Sequence, residues 1–257
     1  MGLMLFLRDN FKISYFREIV LAILEEQTLN DMEKIYMTSL SFQYNPYYYK
    51  VFEDELGDSI IKRINIDPNV KFIFITGSEN TNNNPTKLTK EDQLRCGINY
   101  LICKIKANPF SMYKVSKNVV KDGNLEYIPG WHAKLFLVKS KNGLYGIVGS
   151  SNFTEAAFSY AGNKNDNEKY KRIFLNYEAD VFLWENNVEE EIKSFLYRTR
   201  EKLKSYINEN RIGVKVPFII FEEDVNNNYS TENALKDLIN RIENGINGGS
   251  LEKMRLD

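Results

Sequence analysis

Three apolar runs set close together constrain this chain more than any other feature: HAKLFLV at 132–138, LYGIVGS at 144–150 and LNYEADVFLW at 175–184. Each is short, rich in apolar and aromatic residues, and bounded by polar or glycine-containing segments, which predicts three strands. Each also breaks its own pattern with polar residues two apart, and side chains two apart on a strand face the same way. His132 and Lys134 form one such pair, Ser150 and Asn152 a second, Asn176 and Glu178 a third. Placing charge in a core costs several kcal/mol unless the group finds partners. The three pairs are therefore expected to converge on one site.

The rest of the chain supplies layers for these strands. Apolar residues at helical spacing predict a helix over 14–26, with Ser14 as its N-cap, and another over 89–105, opening on Thr-Lys-Glu-Asp. Runs 34–44 and 71–76 are β-rich; 187–207 has a helical pattern, a short strand falls around 217–221, and an amphipathic helix covers 231–243. Asn-rich segments at 80–84, 163–167 and 226–228 read as exposed turns. This alternation predicts an α/β fold, a mixed β-sheet sandwiched between helices. At 257 residues, 43% of them hydrophobic, the chain can bury the core of one large domain. We expect a catalytic domain over 1–185 and a helical C-terminal segment, 186–257, packed on it.

The string His132-x-Lys134 followed by Gly149-Ser150-Ser151-Asn152 resembles the HxK…GSxN signature, or HKD motif, of the phospholipase D superfamily. Phe153-Thr154 after the Asn, and Asn176-x-Glu178 beyond it, are similar to the nuclease and restriction-endonuclease branch. The close match covers about 50 residues. It departs from the family where an Asp often stands five residues after the Lys: this chain has Lys139, followed by the polar hairpin segment Ser140–Gly143. The resemblance implies the superfamily fold and a metal-independent phosphodiesterase with no cofactor. It assigns His132 as the nucleophile forming a phosphohistidine, Lys134 and Asn152 as the phosphate cradle, and Glu178 as the group orienting His132.

The chemistry of those residue types agrees. A neutral imidazole can attack phosphorus and titrates near neutral pH. Lys134 brings fixed positive charge to the non-bridging oxygens, with Asn152 and Ser150 as neutral donors. Glu178 can accept the second ring N–H of His132 and support the imidazolium that forms. In-line displacement sets nucleophile and leaving group on opposite sides of phosphorus, so one imidazole cannot serve as both nucleophile and acid. The superfamily answers this with two HxK motifs, and this chain has a single histidine. The second copy is expected from a second chain, in a homodimer with the active site at its two-fold interface.

Lys plus Arg total 34 against 35 for Asp plus Glu, a net charge of -1, so a polyanionic substrate needs a local basic patch. The stretch 104–121 carries Lys104, Lys106, Lys114, Lys117 and Lys121 without an acid, with Phe110 and Tyr113 between them. Such a run ordinarily marks a solvated face; here it is also the candidate contact for nucleic-acid backbone. Tyr47, Tyr48 and Tyr49 suit core packing better than base stacking. One His and two Cys leave too few ligands for a zinc site, and no paired acidic motif suggests magnesium. Cys96 and Cys103 read as free thiols. The start MGLMLFLRDN lacks the features of a signal peptide, and no run approaches the ~18 apolar residues of a membrane span. Together with the resemblance, which implies the nuclease branch, these features lead to the expectation of a cytoplasmic DNA endonuclease of the restriction or host-defence kind, with DNA as partner and RNA or single strands as other candidates. The alternatives are a phospholipase or phosphatidyltransferase of the same superfamily, or a silent nucleic-acid-binding module.

Overall fold

The apolar runs of the sequence become neighbours in one sheet. The computed structural model describes residues 2–8, 14–44, 50–77, 88–115, 119–121, 124–126, 133–154, 158, 178–209, 219–222 and 231–256. Its strands are β1 (Gly2–Arg8), β2 (Met32–Ser39), β3 (Lys71–Thr76), β4 (Phe110–Val115), β5 (Val119–Lys121), β6 (Asn124–Glu126), β7 (Lys134–Ser140), β8 (Leu144–Gly149), β9 (Glu178–Trp184), β10 (Ile219–Glu222) and β11 (Leu251–Lys253). The helices are α1 (Tyr15–Glu25), α2 (Glu55–Ile66), α3 (Lys90–Ile105), α4 (Glu189–Glu209) and α5 (Thr231–Asn247). β5 and β6 pair as a separate hairpin, while the main sheet has the order β10-β1-β9-β8-β7-β2-β3-β4-β11. β2, β3 and β4 run parallel and their neighbours antiparallel, so the sheet is mixed.

Both faces are covered. On one, rows of apolar side chains run straight across the strands: Trp184, Tyr145, Val138, Ile35, Phe72 and Phe110, then Phe182, Ile147, Phe136, Met37, Phe74 and Met112. Ile19, Leu56, Leu94, Ile98, Ile192 and Phe195 from α1 to α4 belong to the same core. The other face carries Tyr36, Ile73, Ile75, Leu135, Leu137 and Leu183, covered by Leu235, Ile239 and Ile242 of α5. The expected α/β sandwich is what forms.

Local chemistry sets the boundaries. Ser14 caps α1 by accepting the Arg17 N–H, and Thr89 caps α3 by accepting that of Asp92. β2 stops at Ser39, short of the expected 44, because the Ser39 hydroxyl bonds back to Ser41, accepting its N–H and donating to its carbonyl. Arg63, wholly buried in α2, donates to the carbonyls of Ile23, Leu24, Glu26 and Leu29 and to Asp67. It thereby satisfies the carbonyls at the end of α1, which otherwise lack partners. The segment from 186 onward adds β10 beside β1 and β11 beside β4, at opposite edges of the sheet.

Candidate active site

At one end of the sheet the apolar rows give way to a polar one. Asp180, Gly149 and Lys134 oppose one another across β9, β8 and β7. Ser39, Thr76 and Lys114 carry the same row across β2, β3 and β4. Opposed residues share a face, so this tier lies directly beyond the Phe182-to-Met112 row of the core.

Lys134 opens β7 and is half-buried. Thr38 donates to the Ala133 carbonyl at 2.8 Å, fixing the chain just before it. Among the described residues no carboxylate pairs with the Lys134 ammonium, whereas Lys34, Lys50, Lys62 and Lys141 each have one.

β8 ends at Gly149, so Ser150 and Asn152 sit in the turn after the strand and not on it. Their placement comes from bonds, not from the strand alternation that the sequence suggested. The Ser150 N–H donates to the Ala179 carbonyl at 3.1 Å, and the Ser150 hydroxyl accepts the Ala179 N–H at 3.0 Å. Ser151 points inward and gives both its N–H (3.2 Å) and its hydroxyl (2.7 Å) to the buried Asp180 carboxylate. Asn152 is half-buried; its Oδ1 lies 3.1 Å from the Ser39 hydroxyl, a contact that turns the amide NH2 the other way. Phe153 is wholly buried, stacked on Phe42 with ring centroids 5.1 Å apart, and its carbonyl accepts the Gln43 N–H. Each residue from 150 to 153 is therefore tied to β9, β2 or the chain following β2.

Glu178 is the first residue of β9, its backbone opposite Arg8, two positions before Asp180. His132 and Asn176 lie outside the described residues. The structure therefore brings Lys134, Ser150, Asn152 and the backbone of Glu178 to one end of the sheet. Asp180 and Ser39 join them there without having been expected. Asp180 had one sequence signal, the glycine opposite it; Ser39 had none beyond being a hydroxyl at a strand end.

The described lysines of the stretch 104–121 lie at different places along α3, β4 and the β5–β6 hairpin. Lys104 stands over the Tyr100 ring at 5.4 Å, and Lys106 follows the end of α3 in a left-handed conformation. Both precede β4, whereas Lys114 lies at its far end, where it pairs with Glu91 at 3.1 Å and Glu252 at 3.8 Å. Lys121 lies in the β5–β6 hairpin opposite Asn124, and Lys117 is outside the described residues. Among the described residues no group of three or more His, Cys, Asp or Glu side chains is arranged to hold a metal ion.

No family model matches the sequence, and no curated protein sequence matches it. Among solved structures, the chain is similar to Nuc, a phospholipase D family member from Salmonella typhimurium. The identity there is 16% and the TM-score 0.40, with 79% of this chain and 95% of that one covered. It is also similar to phosphatidylserine synthase from Haemophilus influenzae Rd KW20, at 10% identity and a TM-score of 0.35, covering 86% of this chain and 41% of that one.

Proposed function

We propose that this chain is a metal-independent phosphodiesterase, a DNA endonuclease of the restriction or host-defence kind, acting through His132 at a site shared by two copies of the chain. The observation that carries this is the half-buried Lys134, which pairs with no carboxylate among the described residues, beside a turn that fixes Ser150 and Asn152 in place. Such a set of fixed donors and charge suits the non-bridging oxygens of a phosphodiester, whose charge grows in the transition state. The sequence sets the chain's one imidazole two residues before that lysine.

In the proposed reaction a His132 ring nitrogen attacks phosphorus and the bond to the leaving oxygen breaks. His132 of the other copy supplies the proton to that oxygen, and water then cleaves the P–N bond. Glu178 accepts the second ring N–H of the nucleophile and supports its positive charge. Lys104, Lys106, Lys114, Lys117 and Lys121 are proposed to contact the nucleic-acid backbone. Among the described residues no helix is long and apolar enough to cross a membrane.

The test is to incubate the purified protein with plasmid, single-stranded DNA, RNA and phosphatidylcholine, each in excess EDTA. Cleavage of DNA that survives chelation is expected, because Lys134 supplies the charge a metal would otherwise bring. Activity lost on chelation and restored by magnesium would sink the mechanism, and turnover of phosphatidylcholine alone would move the substrate class to lipids.

A further inference from the structure

The turn that carries Ser150 and Asn152 is fastened from beneath by one buried carboxylate. Asp180 is 2% exposed, and Ser151, its partner through two hydrogen bonds, is 1% exposed. Gly149 makes room for it: a Cβ there would stand 1.9 Å from Asp180 Oδ1 and 2.7 Å from its Cα. No side chain other than hydrogen fits at 149 while Asp180 occupies that space. A buried carboxylate loses much of its hydration and is retained only where hydrogen bonds replace it. Two of the replacements come from Ser151, the residue between Ser150 and Asn152.

We propose that Asp180 is the positioning residue of this site. Its carboxylate fixes Ser151, and through Ser151 the directions of the Ser150 hydroxyl and the Asn152 amide, so that the donors need no rearrangement when a phosphodiester arrives. The catalytic half of this proposal rests on the phosphodiesterase reading; the conformational half does not.

Two measurements separate those halves. The first is amide hydrogen exchange over residues 149–153. In Asp180→Ala it should rise about ten-fold, as expected for loss of a hydrogen-bonded restraint worth about 1.4 kcal/mol, while exchange in α1 and α3 stays at the wild-type level. The second is steady-state hydrolysis of bis(4-nitrophenyl) phosphate. In the same variant kcat should fall on the order of 100-fold, the usual cost of donors misplaced by about an ångström, with KM within about two-fold of wild type. Asp180→Asn keeps an acceptor for the Ser151 N–H and should restore most of kcat.

Unchanged exchange at 149–153 in a folded Asp180→Ala variant would overturn the proposal, as would a rise in KM with kcat intact. An Asn variant as slow as the Ala variant, with the turn still protected, would show that Asp180 acts by its charge and overturn the positioning role. If Asp180→Ala does not fold, Ser151→Ala removes one of the two bonds from the other side and should raise exchange and lower kcat in the same direction; wild-type behaviour there is equally fatal. Wild-type protein that hydrolyses no phosphodiester would end the phosphodiesterase reading, while the exchange comparison still decides whether Asp180 holds the turn.

Discussion

Lys134 faces Gly149 across the ladder, and Phe153 closes the turn that follows Gly149, yet the two residues contribute in different ways. Lys134 is half-buried and makes no ion pair among the described residues, so Lys134→Ala removes charge without opening the core. We predict that it and His132→Ala lower the cleavage rate by at least about 100-fold, the loss typical of removing a group aimed at developing charge, with unchanged thermal unfolding. Glu178→Gln should give a smaller loss, since orientation and charge support go but the nucleophile stays. Phe153 touches Phe16, Phe42 and Phe158 in the core, so Phe153→Ala should destabilise the fold by about 3–5 kcal/mol in urea titrations. Wild-type turnover in a folded His132→Ala variant would refute the site. The sequence marks Lys134, Ser150 and Asn152 as candidates because polar residues at fixed spacing stand out against apolar strands, and the structure sets all three at one end of the sheet. Asp180 is not so marked, because EADVFLW reads as an apolar run and the space that admits a carboxylate is made by Gly149, thirty-one positions earlier.

Among the elements, α5 depends on a polar contact as well as on its apolar stripe. Glu243 accepts from Lys34 at 2.7 Å and from the Tyr36 hydroxyl at 2.6 Å, both on β2. These bonds, Lys34 first and Tyr36 second, hold the Glu243 carboxyl below its ordinary range against the opposing pull of burial. Burial first, and then Glu243, push the Tyr36 hydroxyl up. A carboxyl whose folded value lies below its unfolded value, about 4.3 for Glu, stabilises the fold fully above the unfolded value. That contribution is lost as pH falls through the lower, folded value. Glu243→Gln should therefore lower the urea midpoint at neutral pH, and the gap from wild type should close as pH drops below about 4. A gap that stays constant with pH would mean that ionisation of Glu243 plays no part. The elements differed in how far the sequence exposed them. KFIFIT gave β3 to the residue, because an unbroken apolar run bounded by Lys71 and Gly77 leaves no other option. β4 is hard to see because FSMYKV lies within a lysine-rich stretch whose charge masks the alternation of its buried Phe110 and Met112. α2 was hidden by the mixture in ELGDSIIKRINI, where the buried face includes Gly57, Ser59 and Arg63 and carries no clean apolar stripe.

For the whole molecule, the decisive fact is that a site gathered from β2, β7, β8 and β9 has one imidazole per chain to work with. In-line displacement needs a nucleophile on one side of phosphorus and an acid on the other. Under the proposed mechanism each complete site then takes one His132 from each of two chains. A dimer with a single His132→Ala subunit keeps either the nucleophile or the acid, never both. Mixing wild-type and variant chains under exchange conditions should make activity follow the square of the wild-type fraction. An equal mixture would retain about a quarter of full activity by random pairing in a two-fold dimer. Independent sites would leave about half by the same pairing. Differently tagged chains must first show that subunits exchange, because homodimers that never exchange also give the straight line. With exchange demonstrated, a straight line through the series would rule out the shared site. The general acid would then have to come from within the chain, and the tyrosines and lysines of 104–121 are where to look. Of these, Lys114 lies on the polar row of the site but is engaged with Glu91 and Glu252, while Tyr113 neighbours it on the opposite face. Lys114→Met in an otherwise wild-type chain would then distinguish the two accounts: it should abolish turnover if Lys114 is the acid, and leave the square law intact if the acid is the second His132.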